Sequence, residues 1–151
     1  MSKNTSQSLF RKVDVDKYTN ETYEDDTTAD GGVQQGPDQN QVFSLLQSNS
    51  NLEALRYILA NAPVMVKSQA VKDAALQLAM KVLTSFKSME IERAVKSLER
   101  TELDMLMKYI YRGFEYPVEN SSAQLLVWHE KVFQVGGTGC ILRVLTDRKR
   151  V

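Results

Sequence analysis

The sequence predicts an all-α domain preceded by an extended arm, on three observations. From Asp38 onward, apolar side chains recur every three or four positions in about seven blocks, the spacing that lines one face of a helix. Residues that cap or stop helices (Ser, Asn, Asp, Gly, Pro) fall between those blocks. Ahead of them the chain turns polar and acidic, and "DDTTADGGVQQGPDQNQ" has the composition of a flexible linker. The expected organisation is therefore an extended arm and linker over residues 1–37 and a helical domain over residues 38–151.

Taken in order, Asp38 follows Pro37 and can cap a short helix carrying Val42, Phe43, Leu45 and Leu46. Asn51 can cap the next, with Leu52, Leu55, Ile58 and Leu59 in helical register, and Pro63 forces its end. Ser68 opens the longest block, "QAVKDAALQLAMKVLTSF". Val71, Ala75, Leu78, Val82 and Phe86 form one stripe there, and Leu76, Met80 and Leu83 form a second. A helix apolar on two faces is expected at the centre of the fold. Ser88 starts a helix that buries Ile91, Ala94, Val95 and Leu98. "TELD", residues 101–104, reads as a capping box ahead of Leu103, Leu106, Met107, Ile110 and Phe114, with Gly113 suited to a left-handed stop. "SSAQ" opens a helix with Leu125, Trp128 and Val132 inward and Gly136 at its end; Thr138 starts a last one through Ile141, Leu142, Val144 and Leu145. Helices of about ten residues do not persist alone in water. They are expected to pack as an antiparallel bundle or an α-α superhelix.

The chain has 151 residues, 42% hydrophobic and 25% charged, and a formal net charge of zero. These values fit one ordinary globular domain. The neutrality hides an asymmetry: residues 1–40 hold eight acids against four bases, net −4, and the remainder carries +4. Such a split suggests protein partners, while +4 spread over the body is thin for nucleic acid. No window is apolar enough to span a membrane, and "MSKNTSQSLF" lacks a signal-peptide core. A cytoplasmic chain is expected, which weakens the glycosylation matches at Asn4, Asn20 and Asn120.

Catalytic and metal chemistry lack the residues they need. His129-Glu130 begins like a zinc-protease motif, but Phe133 stands where the second histidine is required. With one histidine and one cysteine in the chain, no zinc site is expected; His129 reads as a flank residue of a packed helix and Cys140 as a small buried side chain. "GGTG", residues 136–139, lacks the Lys-[ST] of a phosphate loop and reads as a helix junction. Arg148, Lys149 and Arg150 read as a solvated basic end. The expectation is no enzyme, no cofactor and no metal. Met107, Tyr109, Tyr111 and Trp128 are most economically core; Met105, Tyr109 and Leu126 fall off the main stripes, which would leave some apolar surface for a partner.

The arm segment "LFRKVDVDKYTNETYEDD" carries large side chains that a solubility tail does not need. Val13 and Val15 alternate with Asp14 and Asp16, as in an extended strand laid along a groove. Burying five or six apolar side chains would contribute ~8–18 kcal/mol. Ordering about 15 residues costs ~15–30 kcal/mol. The arm therefore should not fold alone; tethered to a body already docked beside its target, it gains the effective concentration that rescues a weak contact. On the residues alone a merely solvated tail stands level with a groove-binding arm; the candidate contact residues under the second reading are Phe10, Arg11, Val13, Val15 and Tyr18.

Five strings, "FRKVDVDKY", "KSQAVKDAA", "LMKYIYRGFE", "NSSAQLLVWHEKV" and "ILRVLTDRK", run nearly end to end in one order. On these the chain resembles the subunit 5 family of the actin-related protein 2/3 complex, which includes a subunit 5-like form. Val132, Phe133 and Cys140 are bulkier or more apolar than that family's small residues there. The resemblance implies a non-catalytic structural subunit supporting branched actin nucleation. Its helical body would pack on subunit 4, and its arm would reach the β-propeller subunit and one actin-related subunit. It implies a place in the cytoplasmic actin cytoskeleton, in actin-rich cell projections, with actin filaments met indirectly and no nucleic acid or membrane partner. The competing expectation is a free-standing helical adaptor that recruits protein ligands through a surface groove.

Overall fold

The computed structural model describes residues 36–117 and 121–151, and among them every regular element is an α-helix. They are α1 (Gln39–Gln47), α2 (Asn51–Ala60), α3 (Gln69–Ser85), α4 (Ser88–Lys96), α5 (Arg100–Glu115) and α6 (Ser121–Thr146). The arm and most of the linker lie outside the described residues.

The first two helices begin close to where local chemistry puts them. Asp38 Oδ1 accepts the Asn40 N–H at 3.0 Å, capping α1. Asn49 turns the chain with φ +56°, a conformation that asparagine tolerates. Asn51 is the first helical residue of α2, with Ser50 in the cap position instead. At the other end Asn61 Nδ2 donates to Tyr57 O at 2.8 Å, two residues ahead of Pro63.

α3 is central, packing against α1, α2, α5 and α6. Both of its apolar stripes are used: Ala75, Leu76, Leu78, Ala79, Met80, Val82 and Leu83 are all buried. No glycine closes its C-terminus. The free carbonyls are met from α6 instead: Gln124 Nε2 donates to Leu83 O at 2.9 Å and to Phe86 O at 2.7 Å, and Trp128 Nε1 donates to Leu83 O at 3.1 Å. The Phe86 ring meets Trp128 edge-on, with centroids 5.1 Å apart. α4 packs chiefly on α6 rather than on its sequence neighbours α3 and α5. A short turn fixes only that two helix ends are close; the buried face of Ile91, Ala94 and Val95 decides where the helix lies.

Two expectations about α5 need correction. Thr101 does not cap α5: the helix starts at Arg100, and Glu102 reaches back to accept the Glu99 N–H at 2.8 Å. Asp104, freed from capping, pairs with Arg143 of α6. Gly113 is no helix stop, since α5 continues through Glu115. A Cβ there would stand 2.9 Å from both Leu125 Cδ1 and Met80 Sδ, so this glycine is a gap through which α5 approaches α3 and α6. The last two expected helices are both present: two helical segments abut at a kink, Gly137 (φ 66°, ψ −172°), between the expected stop at Gly136 and the expected start at Thr138, and are taken together as α6; counted so, there are six helices where about seven were expected. The backbone conformation of Gly137 is open almost only to glycine.

Candidate interaction surface

The residues that could carry chemistry are spent on packing. His129 is half-buried, its Nε2 3.5 Å from Tyr111 Oη and its ring tilted against Tyr111 and Phe114 at centroid distances of 5.7 and 6.4 Å. Cys140 is buried and donates through Sγ to Gly137 O at 3.0 Å. Burial pushes its thiol up, away from the reactive thiolate. No group of three or more His, Cys, Asp or Glu residues is placed to hold a metal ion among the described residues. The "GGTG" stretch is the kink of α6 with its flanks, not a strand-to-helix loop. No described helix is long and apolar enough to cross a membrane.

Buried polar chemistry is concentrated on α5. Arg112 is buried; its Nη1 donates to Glu115 at 2.9 Å, its Nη2 lies 3.5 Å from Asp73 of α3, and the guanidinium stacks over Tyr116 at 4.7 Å. Tyr109, off the main stripe but read as most economically core, is only 1% exposed. It sits in the core beside Leu106 and Ile110, and desolvation drives its phenol pKa far upward, which keeps it neutral. The stripe on α5 is wider than the spacing suggested because α3 and α6 pack on it from two directions.

Beside polar Glu130, Gln134 and Thr138, α6 leaves several large apolar side chains outward. Leu126 is 60% exposed and Phe133, seven residues on and therefore on the same face, is 42% exposed. Beyond the kink Leu142 and Leu145 are 60% and 66% exposed, while their neighbours Ile141 and Val144 pack against the core. Single exposed leucines are ordinary; with Val135 also exposed, five large apolar side chains along α6 mark a surface suited to a partner. Sequence spacing identified Leu126, whereas Met105, also expected off the stripe, is partly buried against the core.

The stretch after α6 folds back instead of trailing into solvent. Lys108 Nζ donates to Asp147 Oδ2 at 2.6 Å and to Lys149 O at 3.3 Å. Lys72 Nζ donates to Arg150 O at 2.7 Å, and Val151 is buried. The side chains of Arg148, Lys149 and Arg150 are exposed, but the backbone beneath them is bound to α3 and α5. The composition gave the charges correctly and had no signal for the docking.

Phe10, Arg11, Val13, Val15 and Tyr18 all lie outside the described residues, so the geometry bears on the body alone.

Comparison with known proteins bears on the whole chain. A family model described as the ARP2/3 complex 16 kDa subunit (p16-Arc) matches residues 9–151. The sequence is 52% identical to the actin-related protein 2/3 complex subunit 5-C of Xenopus laevis over the full length of both chains. It is 51% identical to the human subunit 5-like protein, again over the full length of both. A more distant relative, subunit 5 of Dictyostelium discoideum, is 36% identical over 111 residues, 74% of this chain and 79% of that one.

Proposed function

We infer, from the premise that this chain belongs to the ARP2/3 complex 16 kDa subunit family, that it is a structural subunit of an actin-related protein 2/3 complex. The observation that carries this reading is the family match across residues 9–151, arm segment and body together. The subunit supports nucleation of branched actin filaments by holding neighbouring subunits in place, and no bond is made or broken on it. Its setting is the cytoplasmic actin cytoskeleton, and at finer scale the actin-rich projections of the cell. A free-standing adaptor is not favoured, because relatives matched over their full length are named as subunits of a complex.

The parts divide the task. Residues 38–151 form the docking body, which meets subunit 4 through the apolar face of α6 around Leu126 and Phe133. Residues 1–37 form arm and linker, with Phe10, Arg11, Val13, Val15 and Tyr18 reaching the propeller subunit and an actin-related subunit. The spaced apolar side chains of the arm support this, together with the cost of ordering it unaided.

Reconstitution of the complex with variants of the full chain tests both parts. Deleting residues 1–20 should leave helical content unchanged and loosen capture of the propeller and actin-related subunits; undiminished capture removes the arm's role. Leu126→Asp with Phe133→Asp alters exposed positions, so stability should move by no more than ~0.5 kcal/mol each. Incorporation of that variant should fall at least about tenfold if these side chains anchor the interface. Undiminished incorporation would place the docking face elsewhere.

A further inference from the structure

Positive charge gathers where the stretch after α6 folds against α5, and it is incompletely met. A cavity of about 290 Å³ opens there, between the α5 face that carries Lys108 and Arg112 and residues 144–151. That is the small end of the range for ligand sites, ~300–1,000 Å³. Four cations line it, Lys108, Arg112, Lys149 and Arg150, against two carboxylates, Glu115 and Asp147. Both carboxylates are already engaged, Asp147 by Lys108 at 2.6 Å and Glu115 by Arg112 at 2.9 Å. The side chains of Lys149 and Arg150 are exposed, with no carboxylate within 4.0 Å among the described residues. A carboxylate at Val151 would still leave the balance positive. Arg112 is short of acceptors as well. It is only 8% exposed, yet its Nε is enclosed without a hydrogen-bond partner among the described residues, and its Nη2 meets Asp73 only at 3.5 Å. A buried donor left unmet is a cost that a bound acceptor removes. Beside it, burial and then repulsion from Arg112 and Arg150 hold Lys72 below the ordinary lysine range. The charge here is crowded rather than neutralised.

We propose that this cavity is an anion site for a phosphate group, with Lys149 and Arg150 at its mouth and Arg112 at its base. The chemistry asks for a compact, doubly charged oxyanion, since a single carboxylate adds only what Glu115 already gives. Glu115 is half exposed, so it can swing into solvent and release Nη1 of Arg112 to the ligand. Arginine suits the base of the site because its planar guanidinium donates to phosphate oxygens in pairs. Tyr111 and Val144 add apolar wall, which weakens solvent screening inside, and a cleft lined mainly by one sign of charge concentrates its field. A free phosphorylated small molecule and a phosphorylated side chain present the same group. Every residue of the site belongs to this chain, so the site does not depend on the docking role inferred above.

The test uses the isotope-labelled full chain, with ionic strength held constant by chloride. Inorganic phosphate and a glycine-flanked phosphoserine peptide are titrated separately, and NMR follows the Arg112 Nε–H and the backbone amides of residues 147–151. Both sets of resonances should shift together and saturate with at least one probe. Phosphate acting at the lower concentration assigns the site to free phosphorylated compounds; the peptide acting at the lower concentration assigns it to a phosphorylated side chain. Arg150→Glu alters an exposed side chain and keeps the backbone bond to Lys72, and it should weaken binding about tenfold. Lys149→Glu should do the same. Arg93→Glu makes the same charge change on α4, away from the cavity, and should leave binding within about twofold. The unfolding midpoint seen by Trp128 fluorescence should barely move in any of the three. No saturable shift with either probe, equal binding of the unphosphorylated peptide, or equal weakening by all three reversals overturns the site.

Discussion

Gly113→Ala separates two accounts of one residue. In an exposed helix interior, alanine is more stable than glycine by ~1 kcal/mol, because it restricts the unfolded backbone. Gly113 is interior to α5, so propensity alone predicts that gain. The packing predicts the opposite: the new Cβ would lie 2.9 Å from Leu125 Cδ1 and 2.9 Å from Met80 Sδ, both on buried residues. Relieving an overpacked core contact costs ~1–3 kcal/mol. The net expectation is a chain less stable by about 0–2 kcal/mol. Urea unfolding followed by Trp128, the only tryptophan and fully buried, reads this directly. The decisive comparison is the same substitution in a Leu125→Ala background. There one wall is gone and the flexible Met80 can move into the space, so Gly113→Ala should become stabilising, by up to ~1 kcal/mol. A gain of ~1 kcal/mol in both backgrounds would refute the reasoning and leave Gly113 without a packing role.

Other consequences follow from the same geometry. Gln124→Ala removes two of the three donors that close the C-terminus of α3, leaving Phe86 O without its Gln124 donor while Trp128 still serves Leu83 O; the loss should be ~1–2 kcal/mol in urea unfolding. Asp147 gives a pH signature. The hydrogen bond from Lys108, aided by the Lys149 N–H, holds its carboxyl below the ordinary range. A depressed folded value means that the clip's contribution is complete above the unfolded aspartate value of about 3.9 and is lost as pH falls below it towards the folded value. Amide protection over residues 147–151 should therefore be flat from neutral pH down to about 4 and decline only in stronger acid. Lys108→Met should abolish that step, and a step persisting in Lys108→Met would assign it to another group.

Local physics made much of the body legible. The Asp38 cap, the stop before Pro63, the two-faced α3 and the inward Leu125, Trp128 and Val132 all follow from side chains within a turn or two of each other. What escaped depends on residues far apart in the chain. A glycine that ends a helix and one that admits a neighbour look alike until Met80 and Leu125 are in place around it. "TELD" has the letters of a capping box, yet Asp104 is claimed by Arg143 across 39 positions. Tyr109 is off the stripe of α5 although read as core, and what encloses it is α3 and α6 packing there together. The docking of Val151 beside Lys72 and Lys108 has no periodic signal at all. The family strings covered arm and body alike, which periodicity could not do for the arm.

The central claim is that this chain acts only as part of a large assembly. Size-exclusion of native extract, with this chain detected by antibody, tests it most directly. The account predicts that essentially all of it elutes with the actin-related protein 2/3 complex. A substantial fraction running as a free species near its own mass of 17.1 kDa would contradict it.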